Sequence, residues 1–374
     1  MSDVPPPRRV FDPPAARVER ELKHARPLIG CRFDPSGRFL FVSAEDDTIQ
    51  RFDLLTGAKV ALAGHESWVR GLAFVAAEPE PAGAARPSLS ALQGALGFGA
   101  VSVPAPKAAP FTLVSADYHG KLIWWPGGAD APKPLRTVQA HDGWARAVAV
   151  SPDGGTVASC GNDNTVKLWK TADGSAVRTL EGHLSHVYNV AVHPNGQRLV
   201  SCDLKGVVKD WDIRTGKCER EFDAKVLTKY DPGFMADIGG ARGTAFKSDG
   251  SAFALCGITN VSNAFAGVGN PVVVLIDWKT GKPKLLRPKE AFQGTAWGVG
   301  FHPSGAIISA GGGGQGRVWF WKGEDAVGVH TINVPTNCRD FALSPAGDRF
   351  AVAGANGTAY VFDFTGPAPI PLKK

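Results

Sequence analysis

Apolar and polar residues alternate in short bursts along this chain, and the bursts return at a nearly fixed interval. Within residues 140–170 a strand-like run at 147–150 leads into the turn Ser151-Pro152-Asp153-Gly154. A second run ends at Ser159, a tight corner follows at Asn162-Asp163-Asn164, and a third run covers 165–169. Alternation of period two, broken by Gly, Pro, Asn and Asp, marks half-buried strands joined by turns. The string then repeats: His183 stands 42 residues after His141, and the run 190–192, the turn Pro194-Asn195-Gly196, Ser201 and the run 207–211 keep their places behind it. Several strands per repeat of about 40 residues predict small sheets that cannot bury their faces alone and must stack on neighbours.

The same grammar extends over most of the chain. Residues 1–17 are Pro-rich and read as a flexible tail. Residues 18–22 alternate and run into Lys23-His24, an outermost strand whose inner partners are found only at the far end of the chain. A complete unit follows over 29–62, and His65 stands 41 residues after His24. In the second unit the strand pattern stops after Phe74 and resumes at Phe111. His65 and His141 are 76 residues apart, one period plus about the length of the Ala/Pro/Gly-rich stretch 75–110. That stretch predicts a loop insertion between the first two strands, with 88–96 offering a short helix at most. Turn glycines 154, 196, 250, 305 and 347 are spaced by 42, 54, 55 and 42, and the two wide intervals hold two long loops, 225–240 and 257–271. The seventh unit, 341–363, lacks an outer strand, which 18–22 can supply; 367–374 reads as a tail. The predicted fold is all-β: a seven-bladed propeller over residues 18–366, four antiparallel strands per blade, closed by the N-terminal strand. Closure of this kind shields sheet edges.

Composition agrees and narrows the function. The 374 residues are 44% hydrophobic, enough for a large core, and 45 Gly with 28 Pro fit many turns between short strands. The formal charge of +6 permits acidic partners, but no run of five like charges marks a nucleic-acid-binding arm. Neither an apolar segment behind the N-terminal charges nor eighteen consecutive apolar residues is present, so a cytoplasmic protein without membrane attachment is expected. The six cysteines form no CxxC pair; Cys160, Cys202 and Cys256 end second-strand runs and read as buried fillers.

These repeats resemble the WD-repeat β-propeller family, and the likeness covers residues 18–366. It is carried in the third unit by Ala140-His141, Ser159, Asp163 and Lys167-Leu168-Trp169, and in the fourth by Gly182-His183 and Trp211-Asp212. The resemblance implies a buried network in which Asp163 holds His141, His141 reaches Ser159, and Ser159 reaches the Trp169 indole. Other units depart from it: Asp163 is matched by His119, Lys205, Gln315 and Asn356, and Trp169 by Phe52, Ile276 and Phe362. His141, Ser159 and Asp163 also have the residue types of a hydrolase triad. Against that, a His precedes each of the first four units, a Ser ends the second run in each, and no strained elbow exposes the serine. His183 and His186 lack further metal ligands, and Gly311 to Gly314 lacks the Lys-Ser/Thr of a phosphate loop. No catalytic, cofactor or metal site is expected, and the chain does not read as an enzyme.

Function is then sought where the units differ. The first position of each innermost strand is held by Ile29, Arg70, Arg146, Tyr188, Arg242, Trp297 and Arg339, with Trp68, Trp144 and His186 two residues earlier. The resemblance implies that this position faces the rim of the central channel. Arg, Tyr and Trp are the residues enriched at binding hot spots, and Arg suits bidentate capture of carboxylate or phosphate. The bland alternative pairs these arginines with carboxylates such as Asp340 and Glu66. The preferred reading is a monomeric scaffold that binds an acidic or phosphorylated segment of a protein partner over this rim. The alternative is an enzyme or small-anion sensor using the channel mouth as a pocket, to which Tyr230 and Asp237 could contribute. Nucleic acid is disfavoured. Loops 225–240 and 257–271 should rise beside the rim, and the 75–110 insertion should lie on the opposite face.

Overall fold

Short alternating runs, each too brief to bury both faces, form one antiparallel sheet per unit and then stack sheet against sheet. The computed structural model describes residues 11–76, 111–263 and 267–364, and among these lie seven four-stranded sheets and one two-stranded sheet. Blade 3 is representative: its strands a to d, from the channel outward, are Ala145–Val150, Thr156–Gly161, Val166–Lys170 and Ala176–Leu180. The turn between the first two uses Gly154 at φ +72°, a left-handed conformation that favours glycine. The seven a strands touch in sequence and the last returns to the first, so the ring is closed. The chain is a seven-bladed β-propeller, as the repeat length and turn spacing predict.

Closure uses the two ends of the ring. Arg17–Lys23 pairs antiparallel with Thr358–Asp363, from Arg17 opposite Asp363 to Lys23 opposite Thr358, and completes blade 7. The N-terminal tail expected over 1–17 ends earlier than its composition indicates. Phe11 stacks on His302 at 4.1 Å and meets the Phe364 ring edge-on at 5.1 Å, and the Asp12 N–H donates to the Phe364 carbonyl. One aromatic anchor outweighs the surrounding prolines. In blade 2 the insertion begins later than residue 75, because Val75 and Ala76 still pair with Thr112 and Phe111. Residues 77–110, where at most a short helix is expected at 88–96, and the expected tail 367–374 lie outside the described residues.

Both long connections of blade 5 are built structure rather than loops. Residues 225–240 form a short 3-10 turn, Lys225–Leu227, and a hairpin of Thr228–Asp231 with Ala236–Gly239. The described residues of the expected loop 257–271 instead continue the two middle strands, Ala252–Asn263 and Val268–Asp277. The reason is burial: Ile258 and Val261 of this ribbon pack with Ile238 of the hairpin in a small core of their own.

The main core lies between blades, where indole rings meet a buried polar chain. In blade 3, His141 Nδ1–H donates to Asp163 (2.9 Å), the Ser159 hydroxyl donates to His141 Nε2 (2.7 Å), and Trp169 Nε1–H donates to Ser159 Oγ (2.9 Å). Blade 2 repeats this with Asp117, His65, Ser115 and Trp125, and blade 4 with Asp203, His183, Ser201 and Trp211. His119 and Lys205 are therefore not the counterparts of Asp163. In both blades the carboxylate stands two residues after the serine instead of four, on the strand itself. Ser159, Ser115 and Ser201 are buried, so none can meet a substrate. Where the partners are missing the chain breaks: Arg51, not Phe52, stands in the register position of Trp169 in blade 1, where the Ser43 hydroxyl is buried with no hydrogen-bond partner among the described residues, and Ser309 turns to the Gly298 carbonyl (2.8 Å).

These chains make stability depend on pH and on every link. Burial opposes ionisation of Asp117, but hydrogen bonds from His65 and from the Lys121 and His119 backbones outweigh it and hold the carboxyl below its ordinary value. Asp163 is held low in the same way, burial being outweighed by His141 and Thr165. A depressed carboxyl stabilises the fold above the unfolded value and ceases to do so as pH falls through the folded one. Stability is expected to decline below about pH 4, the ordinary aspartate range. Asp117→Asn should flatten that decline in urea-unfolding midpoints taken between pH 6 and pH 3. Ser115→Ala, which orphans His65 Nε2 and Trp125 Nε1 together, is expected to cost about 2–4 kcal/mol at pH 7 by the same assay.

Candidate functional site: the channel mouth

A register slip places the site. In six blades the pairing of strands a and b skips one residue of strand a: Ala145 opposes Gly161 while Ala147 opposes Cys160, leaving Arg146 between them unpaired. The skipped residues of the other five are Ile29, Arg70, Tyr188, Trp297 and Arg339. In blade 5 the pairing begins only at Gly243, and Arg242 is tied by its N–H to the Cys256 carbonyl. A bulge of this kind re-aims a side chain and bends the strand. Repeated around a ring, it turns one residue per blade toward the axis.

The seven do not all reach one place. Arg70, Arg146, Tyr188, Arg242 and Trp297 line a single cavity of about 320 Å³, together with Arg32 and Tyr118. Ile29 is buried away from it, and Arg339 is held by Glu45 of the neighbouring blade (2.5 Å). The carboxylates considered as partners are engaged elsewhere or only in part: Glu66 pairs with Lys121 at 2.6 Å, and Asp340 with Arg32 at 2.9 Å and Arg70 at 3.9 Å. Asp237 pairs with Lys205 at 3.8 Å, and neither it nor Tyr230 lines the cavity.

Arg70, Arg146 and Arg242, three of the four arginines that line the cavity, differ in what holds them. Arg70 crosses the channel and donates to the carbonyls of Ile29 (2.7 Å), Arg339 (3.3 Å) and Arg242 (3.4 Å), so it braces three blades. Arg146 has one polar tie, Nε–H to the Asn162 amide oxygen at 2.8 Å, and lies 4.3 Å from the centres of both the Trp144 and Tyr188 rings. Arg242 lies 5.5 Å from Tyr188 and 5.0 Å from Trp297, and its Nε is buried with no hydrogen-bond partner among the described residues. Among the described residues neither Arg146 nor Arg242 has a carboxylate within 4.0 Å. Guanidinium and aromatic rings thus alternate along the mouth, cation–π contacts standing in for ion pairs.

The electrostatics follow from that arrangement. Burial, with Arg146 and Arg70 adding like charge and Tyr188 partly offsetting them, lowers the basicity of Arg242 below that of a free arginine. Burial and the nearby Arg146 charge likewise lower His186, favouring its neutral form. The mouth holds concentrated positive charge with unfilled donor capacity, which an entering anion would satisfy. Among the described residues no group of three His, Cys, Asp or Glu is disposed to hold a metal ion.

Sequence reading missed two contributors, Arg32 and Tyr118. Tyr118 occupies the corner position that Asn162 holds in blade 3, one residue before the Asp163 position, and that alignment is the signal that could have found it. Arg32 stands three residues beyond the aligned Ile29, and its turn toward the Asp340 carboxylate and the Cys31 and Phe341 carbonyls depends on the adjoining blade 7. The hairpin and ribbon of blade 5 also abut the mouth: a Cβ at Gly240, where φ is +89°, would touch the Tyr188 ring at 3.7 Å, and one at Gly257 would meet the Gly240 carbonyl at 2.8 Å.

Comparison with known proteins adds a likeness for two of the blades. The family model described as "WD domain, G-beta repeat" matches residues 132–170 and 174–212, which contain most of blades 3 and 4. The propeller thus contains two stretches that match WD repeats. The chain is similar to nuclear distribution protein PAC1 of Arthroderma benhamiae, with 32% identity over 166 residues, 43% of this chain and 30% of that protein. PAC1 of Coccidioides posadasii is 31% identical over 138 residues, 36% of this chain and 26% of that protein. DDB1- and CUL4-associated factor 13 of Dictyostelium discoideum is 53% identical over 34 residues, 9% and 8% of the two chains. These matches span less than a third of the relatives' own length. No helix among the described residues is long and apolar enough to cross a membrane.

Proposed function

We propose that this WD-repeat propeller is a non-catalytic scaffold whose channel mouth binds an acidic or phosphorylated segment of a partner protein. WD-repeat proteins are protein-interaction scaffolds, which supplies the general class. The observation that carries the specific reading is the pair Arg146 and Arg242: two guanidinium groups at one cavity, without a carboxylate partner among the described residues, one with a buried unpaired Nε. Leaving such donors unsatisfied is costly, and an anionic oxygen placed between them relieves the desolvation and the mutual repulsion together. A phosphate or a carboxylate meets the guanidinium fork bidentately, which a neutral side chain cannot.

A small-molecule pocket is the second reading, favoured only by the cavity's size: about 320 Å³ is at the lower end of ligand sites. The lining offers no His, Cys, Asp or Glu for acid-base or nucleophilic work. Immobilised protein should therefore capture partners from a native lysate, and soluble poly-glutamate or a phosphoserine peptide should strip them off while poly-glutamine does not. Equal elution by the neutral and anionic competitors would remove the mouth from consideration.

A further inference from the structure

Beyond the arginines, the mouth continues into an exposed aromatic surface at the junction of blades 2 and 3. Trp68 and Trp144 precede the re-aimed arginines of blades 2 and 3 by two residues, and Tyr118 lies between them at the b-to-c corner of blade 2. The Tyr118 ring lies flat on Trp144, centroids 4.1 Å apart and planes 4° from parallel. Trp68 is the outer step, 6.4 Å from Tyr118, with its carbonyl accepting the Tyr118 N–H. Trp68 and Trp144 are 43% and 41% exposed, although indoles elsewhere in the chain are among its most deeply buried side chains. Stacked, mutually braced rings left open to water beside a cationic site form a pre-ordered apolar surface with little side-chain entropy left to lose.

We propose that this ledge receives an apolar or aromatic side chain of the same partner segment that brings the anion, so that the mouth reads a two-part linear motif. The inference rests on the anion reading of Arg146 and Arg242. Its geometry fixes the spacing. Trp144 lies 4.3 Å from the Arg146 guanidinium, and the steps from Arg146 to Tyr118 (5.7 Å) and Tyr118 to Trp68 (6.4 Å) bound Trp68 at about 12 Å. An extended chain rises about 3.3 Å per residue, so the apolar residue stands within about four positions of the anion. The segment lies over the junction of blades 2 and 3. Charge alone would admit any acidic stretch; a ring-lined second point of contact selects among them.

The test uses the full-length protein and fluorescent twelve-residue peptides in a Gly/Ser background. One series carries a single phosphoserine and a second a Glu-Glu pair, and in each a single Phe is omitted or placed one to six positions from the anion on either side. Fluorescence polarisation is expected to show about tenfold tighter binding when Phe lies within four positions on one side, the effect of covering roughly half a ring's apolar surface. Trp68→Ala should bring that peptide down to the Phe-free level, and Trp68→Phe should restore most of the gain. Urea unfolding of the variants separates a lost ledge from a lost fold. Anionic peptides that bind with no preference for Phe at any position overturn the ledge and leave the mouth intact. Failure of every anionic peptide in both series overturns the mouth, and the ledge with it.

Discussion

Replacing Arg146 and Arg242 together with alanine is expected to weaken capture of the anionic segment by about 100-fold or more. Two charge-assisted contacts worth roughly 1.5–3 kcal/mol each account for a change of that size. Stability should respond in the opposite way from an ordinary core lesion. Among the described residues Arg146 has a single polar tie, to Asn162, and the Arg242 Nε has none, so the folded-state bonding lost is chiefly their cation–π contacts with Tyr118, Trp144, Tyr188 and Trp297. Burial and the neighbouring guanidinium groups already disfavour the charge on Arg242, and its removal relieves that. Thermal unfolding of the double variant is expected at the wild-type temperature or slightly above it while binding disappears, the signature of a site kept at some expense to the fold. Arg70→Ala should behave otherwise. Its guanidinium ties three blades through the carbonyls of Ile29, Arg339 and Arg242, so its loss lowers stability and cannot isolate a binding role.

Deletion of residues 1–24 is expected to lower the unfolding temperature of the whole ring by about 10 °C or more. The deleted strand contributes every outer partner of Thr358–Asp363, packs Leu22 against the blade 7 and blade 1 core, and carries Phe11 onto His302 and Phe364. His24 also ties its N–H to the Gly357 carbonyl. Without it, strand c of blade 7 becomes an open edge over buried Val361 and Phe362, and exposed edges template association. Calorimetry should show the fall and sedimentation velocity the accompanying self-association. Unchanged unfolding of the truncated protein would mean that the ring is held shut by inter-blade packing alone.

The parts legible in the sequence were those fixed by local chemistry. A strand announces itself by alternation and a turn by its Gly, Pro or Asn, so the seven-fold count, the four-stranded blades and the strand that closes them could be read from spacing. Position within a blade was nearly as legible, which is why aligning Arg146 with its counterparts found residues that share a cavity. What a side chain does after leaving its strand was not legible. Arg339 turns to Glu45 and Arg70 to carbonyls of three blades, and those partners lie in other repeats. The network carboxylate was missed in blades 2 and 4 for a simpler reason. Alignment sought it at the corner, whereas Asp117 and Asp203 deliver the same oxygen to His65 and His183 from the strand, two residues after the serine. The ribbon at 257–271 read as a loop because of its Asn and Gly content, although Ile258 and Val261 already marked one face as buried.

A crystal structure of the full chain with a bound phosphoserine peptide tests the central claim most directly. The account predicts phosphate oxygens within hydrogen-bond distance of both the Arg146 and Arg242 guanidinium groups, at the mouth of the channel. A peptide seated on an outer strand or the opposite face, with those two arginines unchanged and unoccupied, would contradict it.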